Sequence, residues 1–202
     1  MLRNANDPGV QLLQAAGEYL PFAGHRFDLA TAALSFHWLH RDRLLAEARR
    51  VLRPSGWLVI YDNFFFGQMK ENPDFERWVK EEYLTRYPTP QRESQPLTDE
   101  AANGYGFLFV ERERYANEVM FSADELSSYL MTQTNVVAAV RAGKGSPEDA
   151  YAWLTDSVKP LFPQRRCNFR FGGYVWYLRP NRSRLTQPGD TLCIAAPDDG
   201  AQ

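Results

Sequence analysis

The sequence predicts an α/β fold, with a strand–helix–strand unit first, a helical insertion next and a closing antiparallel hairpin. Three observations carry that reading. Residues 27–36 (FDLATAALSF) are nearly continuous in apolar and small side chains, and Trp57 to Tyr61 (WLVIY) form a second such run. Runs of this kind suit strands buried on both faces. Between them Leu44, Leu45, Ala48, Val51 and Leu52 recur at helical spacing, which makes one apolar helix face. Strand, helix and strand in that order imply parallel strands with a right-handed crossover.

The remaining elements follow from local patterns. Val10 to Ala16 is a short apolar run broken by Gly17 and Pro21. Asp42 suits a helix cap, and Pro54 with Gly56 stops the helix. Texture changes near Asp62, after which aromatic, charged helices alternate with loops rich in Pro and Gly. Asn72-Pro73 opens a helix with Phe75, Trp78, Val79 and Tyr83 on one face, and Pro88 to Pro96 is a loop. Ser122 to Glu125 is a capping-box pattern ahead of Leu126, Tyr129 and Leu130. Ser146-Pro147 starts a third helix, along which Tyr151, Leu154 and Val158 align. Phe169 to Leu178 alternates like a strand with a Gly-Gly kink, and Thr191 to Ala196 reads as its antiparallel partner at a sheet edge. The expected divisions are a core over 1–63, a helical cap over 64–165 and closing strands over 166–202.

Composition sets outer limits. The 202 residues include 23 Lys+Arg against 25 Asp+Glu, a net charge of −2, and 44% are hydrophobic. That length suits one domain, or one domain with a small appendage. Near-neutral charge argues against a nucleic-acid surface held by phosphate contacts. No apolar run approaches the ~20 residues that a membrane span needs. Asn, Asp, Pro and Gln interrupt the first fifteen residues, unlike a signal peptide. Cys167 and Cys193 are too few for a disulfide framework or a multi-cysteine zinc site, so the default compartment is the cytoplasm. No metal-ligand spacing, G-x-S-x-G elbow or phosphate loop occurs.

Four phrases carry more. Gly17-Glu18-Tyr19-Leu20-Pro21-Phe22, Phe27-Asp28, Phe36-His37-Trp38 and Arg49-Arg50-Val51-Leu52-Arg53-Pro54-Ser55-Gly56 stand in this order within residues 1 to about 62. Their content and spacing resemble the class I S-adenosylmethionine-dependent methyltransferases that act on small molecules. The resemblance implies a partial Rossmann-like sheet of that family, S-adenosylmethionine as cofactor and a small-molecule acceptor. It also implies a departure. The family's glycine-rich loop after its first strand, and the acid after its second, have no counterpart here. Met1-Leu2-Arg3-Asn4-Ala5 instead resembles a phrase inside the helix that follows the second strand. By that resemblance the 27–36 strand is left with an open apolar edge. Three arrangements answer this: a fragment or shifted gene start, pairing with another copy or a separate N-terminal polypeptide, or a remnant that no longer binds cofactor.

By resemblance, Ala16, Gly17 and Glu18 lie beside the adenine, with Ser35 and Phe36 on the cofactor side of the fourth strand's end. Family members often carry Asp where Ala16 stands, which leaves that contact to backbone amides. His37 and Asp62 are the candidate catalytic residues, since each follows a strand whose carboxyl end is the usual place for ligands. An imidazole there is suited to general-base work. The alternatives are that His37 and Trp38 pack onto the next helix, that Asp62 caps a loop and that Gly17-Glu18 merely turns the chain. Phe64 to Phe66, Phe75 to Tyr87 and Tyr105 to Phe107 suggest an apolar acceptor lid or, equally, the insertion's own core. The rival function is a non-catalytic remnant or binding protein.

Overall fold

The computed structural model describes residues 9–91, 96–181 and 183. Strand β1 (Phe27–Ala33), helix α1 (Arg41–Val51) and strand β2 (Leu52–Met69) form the expected unit, with β1 and β2 parallel. His40 occupies the N-cap of α1, and Asp42 sits in the first turn, where its charge favours the helix dipole. The chain passes straight from Val51 into β2. Arg53 to Gly56 bulge out between the pairs Phe27–Leu52 and Leu29–Trp57.

Beyond β2 lies a helical stretch: α2 (Asp74–Trp78), a π turn (Val79–Tyr83) and α3 (Leu84–Arg86). After α4 (Asp99–Gly104) comes a long strand, β3 (Phe107–Phe121). Helices α5 (Ala123–Met131), α6 (Thr134–Arg141) and α7 (Pro147–Val158) lead to β4 (Cys167–Pro180). The capping boxes at Ser122–Glu125 and Ser146–Asp149 both form. The sheet order is β1-β2-β4-β3, and β4 is antiparallel to both neighbours.

Four expectations need correction. The closing pair is β3 with β4, and 64–165 is not purely helical. β4 is bonded along one edge to β2 and along the other to β3; Thr191–Ala196 lies outside the described residues. β3 escapes a reading by alternation because Glu111 to Glu118 is exposed on both faces. β1 is not buried on both faces: Ala32 is its one buried residue and Leu29 is 54% exposed. Among the described residues nothing covers that face or pairs with the outer edge of β1. Val10 to Ala16 forms no strand, and Val10, Leu12 and Leu13 are exposed.

Side chains alternate along a strand, so the sheet supports two cores on opposite faces. Phe65, Phe169 and Phe171 face the cap, where they join Phe75, Trp78, Leu126, Leu130, Leu154 and Val158. Leu58, Ile60, Trp176 and Leu178 face α1 and α4, joining Phe36, Leu45, Ala48 and Ala102. The cap core holds one buried polar bridge. Asn135 donates to the Tyr87 carbonyl (2.8 Å) and accepts from the Tyr83 hydroxyl (3.1 Å), while burial pushes the Tyr83 phenol up.

Leu154 has no exposed surface. Leu154→Ala is expected to lower stability by about 2–5 kcal/mol, measured by urea denaturation. At Gly173 an added Cβ would run into the backbone carbonyl of Asp62. Gly173→Ala is therefore expected to abolish the cooperative thermal transition, read by circular dichroism.

Candidate active site

The carboxyl end of β1 lies beside the middle of β2, with Ala33 opposite Tyr61. At the end of β1 Leu34 turns left-handed (φ 51°), its N–H donating to the Tyr61 carbonyl (3.0 Å). For a residue with a Cβ this is a strained conformation. The turn carries Ser35 and the 3₁₀ turn Phe36–Trp38 across to β2. There His37 Nδ1 lies 3.0 Å from Asp62 Oδ2. Asp62 is 2% exposed. The Tyr174 hydroxyl donates to the same Oδ2 (3.2 Å), and the Tyr115 hydroxyl donates to the Asp62 backbone carbonyl (2.9 Å). Burial pushes the Tyr115 phenol up, and the charge of Asp62 and the neighbouring Tyr61 add to that.

An ionised carboxylate only accepts hydrogen bonds. Asp62 therefore fixes the neutral ring of His37 with its proton on Nδ1 and leaves Nε2 as the acceptor. His37 lines a groove of about 570 Å³ together with Trp38, His40, Arg41, Asp42 and Tyr105. Trp38 packs on the His37 ring (4.9 Å) yet stays 43% exposed. Behind the groove Tyr174 stacks on Trp176 (4.3 Å), whose edge meets Phe36 (6.1 Å) and Phe109 (5.8 Å). Phe36 is 1% exposed beneath the Arg41 guanidinium, so its side chain belongs to the core. A second groove, of about 590 Å³, lies at the other end of the long strands beside Lys70, Glu118 and Arg170, away from His37.

Residues 16–18 form an adjoining wall. Glu18 Oε1 accepts from the backbone N–H of His40 (3.0 Å), which lowers the Glu18 carboxyl below its usual range. Gly17 lies against Leu39, where a Cβ would just make contact at 3.4 Å. Ala16 accepts from the Tyr19 N–H (3.0 Å) in a tight turn. The wall hangs on α1. Glu47 accepts from the Leu20 N–H (2.6 Å), and Arg50 reaches the carbonyls of Leu20 (2.9 Å) and Phe22 (2.6 Å).

Ser35 thus stands in the turn that carries His37 to Asp62, Gly17 and Glu18 meet Leu39 and His40 just after that turn, and Phe36 points its ring away. Tyr174 and Tyr115 were not anticipated. The available signal was the aromatic residue directly after Gly172-Gly173, where the small residues bring β4 close to β2.

Residues 1–60 match a protein-family profile described as a methyltransferase domain. Over that stretch the chain is similar to methyltransferase domains. Among curated relatives, a sterol 4-C-methyltransferase of Caenorhabditis elegans is 27% identical over 145 residues, covering 65% of this chain and 42% of the relative. A phthiotriol/phenolphthiotriol dimycocerosates methyltransferase of Mycobacterium ulcerans is 28% identical over 119 residues, covering 58% and 39%. The chain thus spans about two fifths of the length of these methyltransferases. A solved structure from Anaeromyxobacter dehalogenans, described as a presumed type II methyltransferase, superposes with TM-score 0.59 at 21% identity. It covers 89% of this chain and 75% of that one, and so shares the fold. Among the described residues no helix is long and apolar enough to cross a membrane.

Glu47 is 7% exposed, and its hydrogen bond from Arg50 holds its carboxyl below the usual glutamate range. A depressed carboxyl stabilises the fold at neutral pH and loses that contribution as pH falls through its folded value. Glu47→Gln is expected to lower stability at pH 7 by about 1–3 kcal/mol. Wild-type and variant melting temperatures should converge as pH falls below the ordinary glutamate range.

Proposed function

We propose that this chain serves S-adenosylmethionine-dependent methyl transfer to a small-molecule acceptor. The observation that carries the reading is His37, held by buried Asp62 and lining a groove just past the carboxyl end of β1, in a fold shared with a solved methyltransferase-like structure. In this reading Gly17, with the backbone of Ala16 and Glu18, walls the adenine, and Ser35 and the backbone of Phe36 flank the cofactor. The cofactor supplies an already activated methyl group on a sulfonium.

The protein's share is then alignment and exclusion of water. Trp38 and Tyr105, 43% and 38% exposed, give the groove flat apolar walls for the acceptor. Relatives named for sterols and phthiotriols support an acceptor with a large apolar body. His37 faces that acceptor, and Asp62, buried behind it, holds the ring.

Calorimetric titration of the 202-residue chain with S-adenosylhomocysteine tests this reading. One-to-one binding with micromolar affinity is expected, with little change in His37→Ala because His37 lies on the acceptor side. Absence of binding would favour the rival reading, a binding protein without cofactor.

A further inference from the structure

We propose that the groove at the far end of β2 and β4 is a second ligand site, apart from the groove at His37, and that it holds a small organic acid by its carboxylate on Arg170. This site is independent of the methyl-transfer reading.

The groove, of about 590 Å³, lies where the sheet departs from regular pairing. β2 pairs with β4 at Phe65–Phe171 and again at Met69–Phe169, so residues 66–68 stand opposite Arg170 alone. A bulge of this kind bends its strand and re-aims the side chains beside it. Gly67 makes the bend with a left-handed backbone (φ 69°), and a Cβ added there would come within 2.9 Å of Val79 in the π turn. The bend is thus locked from behind by the cap. Across the β3–β4 ladder Arg170 faces Glu118, and two residues on Gly172 faces Ala116. Residues two apart share a sheet face. One long side chain therefore stands beside two small ones, which leaves a recess next to the guanidinium.

The charges in that recess select the ligand. Lys70, Glu76, Glu118 and Arg170 line the groove. Glu118 is taken by Lys70 (3.4 Å) and Glu76 by Lys80 (2.7 Å). Arg170 has no acidic or hydrogen-bonding partner among the described residues, and its guanidinium stands 5.8 Å from the centre of the Phe66 ring. The pairs cancel, and one positive charge remains, carried by a planar fork of donors. A carboxylate matches that fork in both shape and charge. A doubly charged phosphate monoester would bring its excess charge against Glu118 and Glu76. An ammonium ligand would meet Arg170 itself. The Phe66 ring, 43% exposed, gives a flat apolar surface beside the fork, and Pro73 and Ala116 add to it. The ligand is accordingly a monocarboxylate with a short apolar or aromatic body.

Titration of the cofactor-free chain with phenylacetate tests the proposal, read by ¹H–¹⁵N spectra that include the arginine Nε–H signals. Saturable shifts are expected at Arg170 Nε and at the backbone amides of Ala116 and Glu118. Millimolar affinity is expected for one ion pair in an open groove. Phenylacetamide, which has the same body without the charge, should bind at least about tenfold more weakly. Phenyl phosphate should also bind more weakly than phenylacetate. Arg170→Gln should lose the shifts at Ala116 and Glu118, and Arg170→Lys, which keeps the charge without the fork, should fall between. The Arg170 side chain is exposed, so both variants should keep the wild-type thermal transition. If Arg170→Gln does not fold, Arg170→Lys and the phenylacetamide comparison carry the test. Shifts that do not saturate, shifts centred on His37 or spread equally over other arginines, equal binding of phenylacetamide or phenyl phosphate, or unchanged binding in folded Arg170→Gln would each overturn the proposal. No arm needs S-adenosylhomocysteine to bind, so failure here is distinct from failure of the methyl-transfer reading.

Discussion

β4 lies flush against β2 because Gly172 and Gly173 carry no side chains. A Cβ at Gly173 would strike the Asp62 carbonyl, and one at Gly172 would strike the carbonyl of Tyr115. Three strands are therefore drawn together at one point, and the site is built from what that approach delivers. Tyr174 arrives at the Asp62 carboxylate and Tyr115 at its backbone carbonyl. Asp62, filled by these partners, fixes the ring of His37. Bulk at Gly173 would separate β4 from β2 and leave a buried carboxylate short of a donor, a costly state in a low-dielectric interior, while bulk at Gly172 would push away β3 and the Tyr115 bond to the backbone.

The energetics divide along the same line. The cap is held by ordinary apolar packing, with Phe65 touching Phe75, Tyr129, Phe169 and Phe171. The site end trades some of that packing for polar satisfaction and a strained turn at Leu34. Departures from the local rules concentrate where ligand chemistry is expected, as they do in natural proteins generally.

What could be read in the sequence follows this physics. β1, α1 and the start of β2 were legible because apolar runs and a helical stripe are strong signals, even though β1 is largely exposed. The helices after Ser122 and Ser146 were legible through their caps. β3 was not, because its middle, Glu111-Arg112-Glu113-Arg114, is an edge strand wet on both faces, without the alternation that marks a half-buried strand. The extension of β2 through Phe64, Phe65 and Phe66 was hidden for the opposite reason, three large apolar residues in a row. His37 was found from its place after β1, and Asp62 from an expected strand end, although β2 runs on to Met69. Tyr174 and Tyr115 were not, since their partnership depends on a strand order that no short pattern encodes.

β3 is the sheet's weakly held seam: among the described residues β4 alone bonds it along its length, and its central side chains bury little. Strands of that kind open locally at lower free energy than the core. Each opening takes Tyr115 away from Asp62 while Tyr174, on the inner strand, stays in place. Breathing of a distant solvent-facing edge is thereby transmitted as a change in the backbone support of one buried carboxylate, so the site feels the sheet's rim without any ligand having to move it.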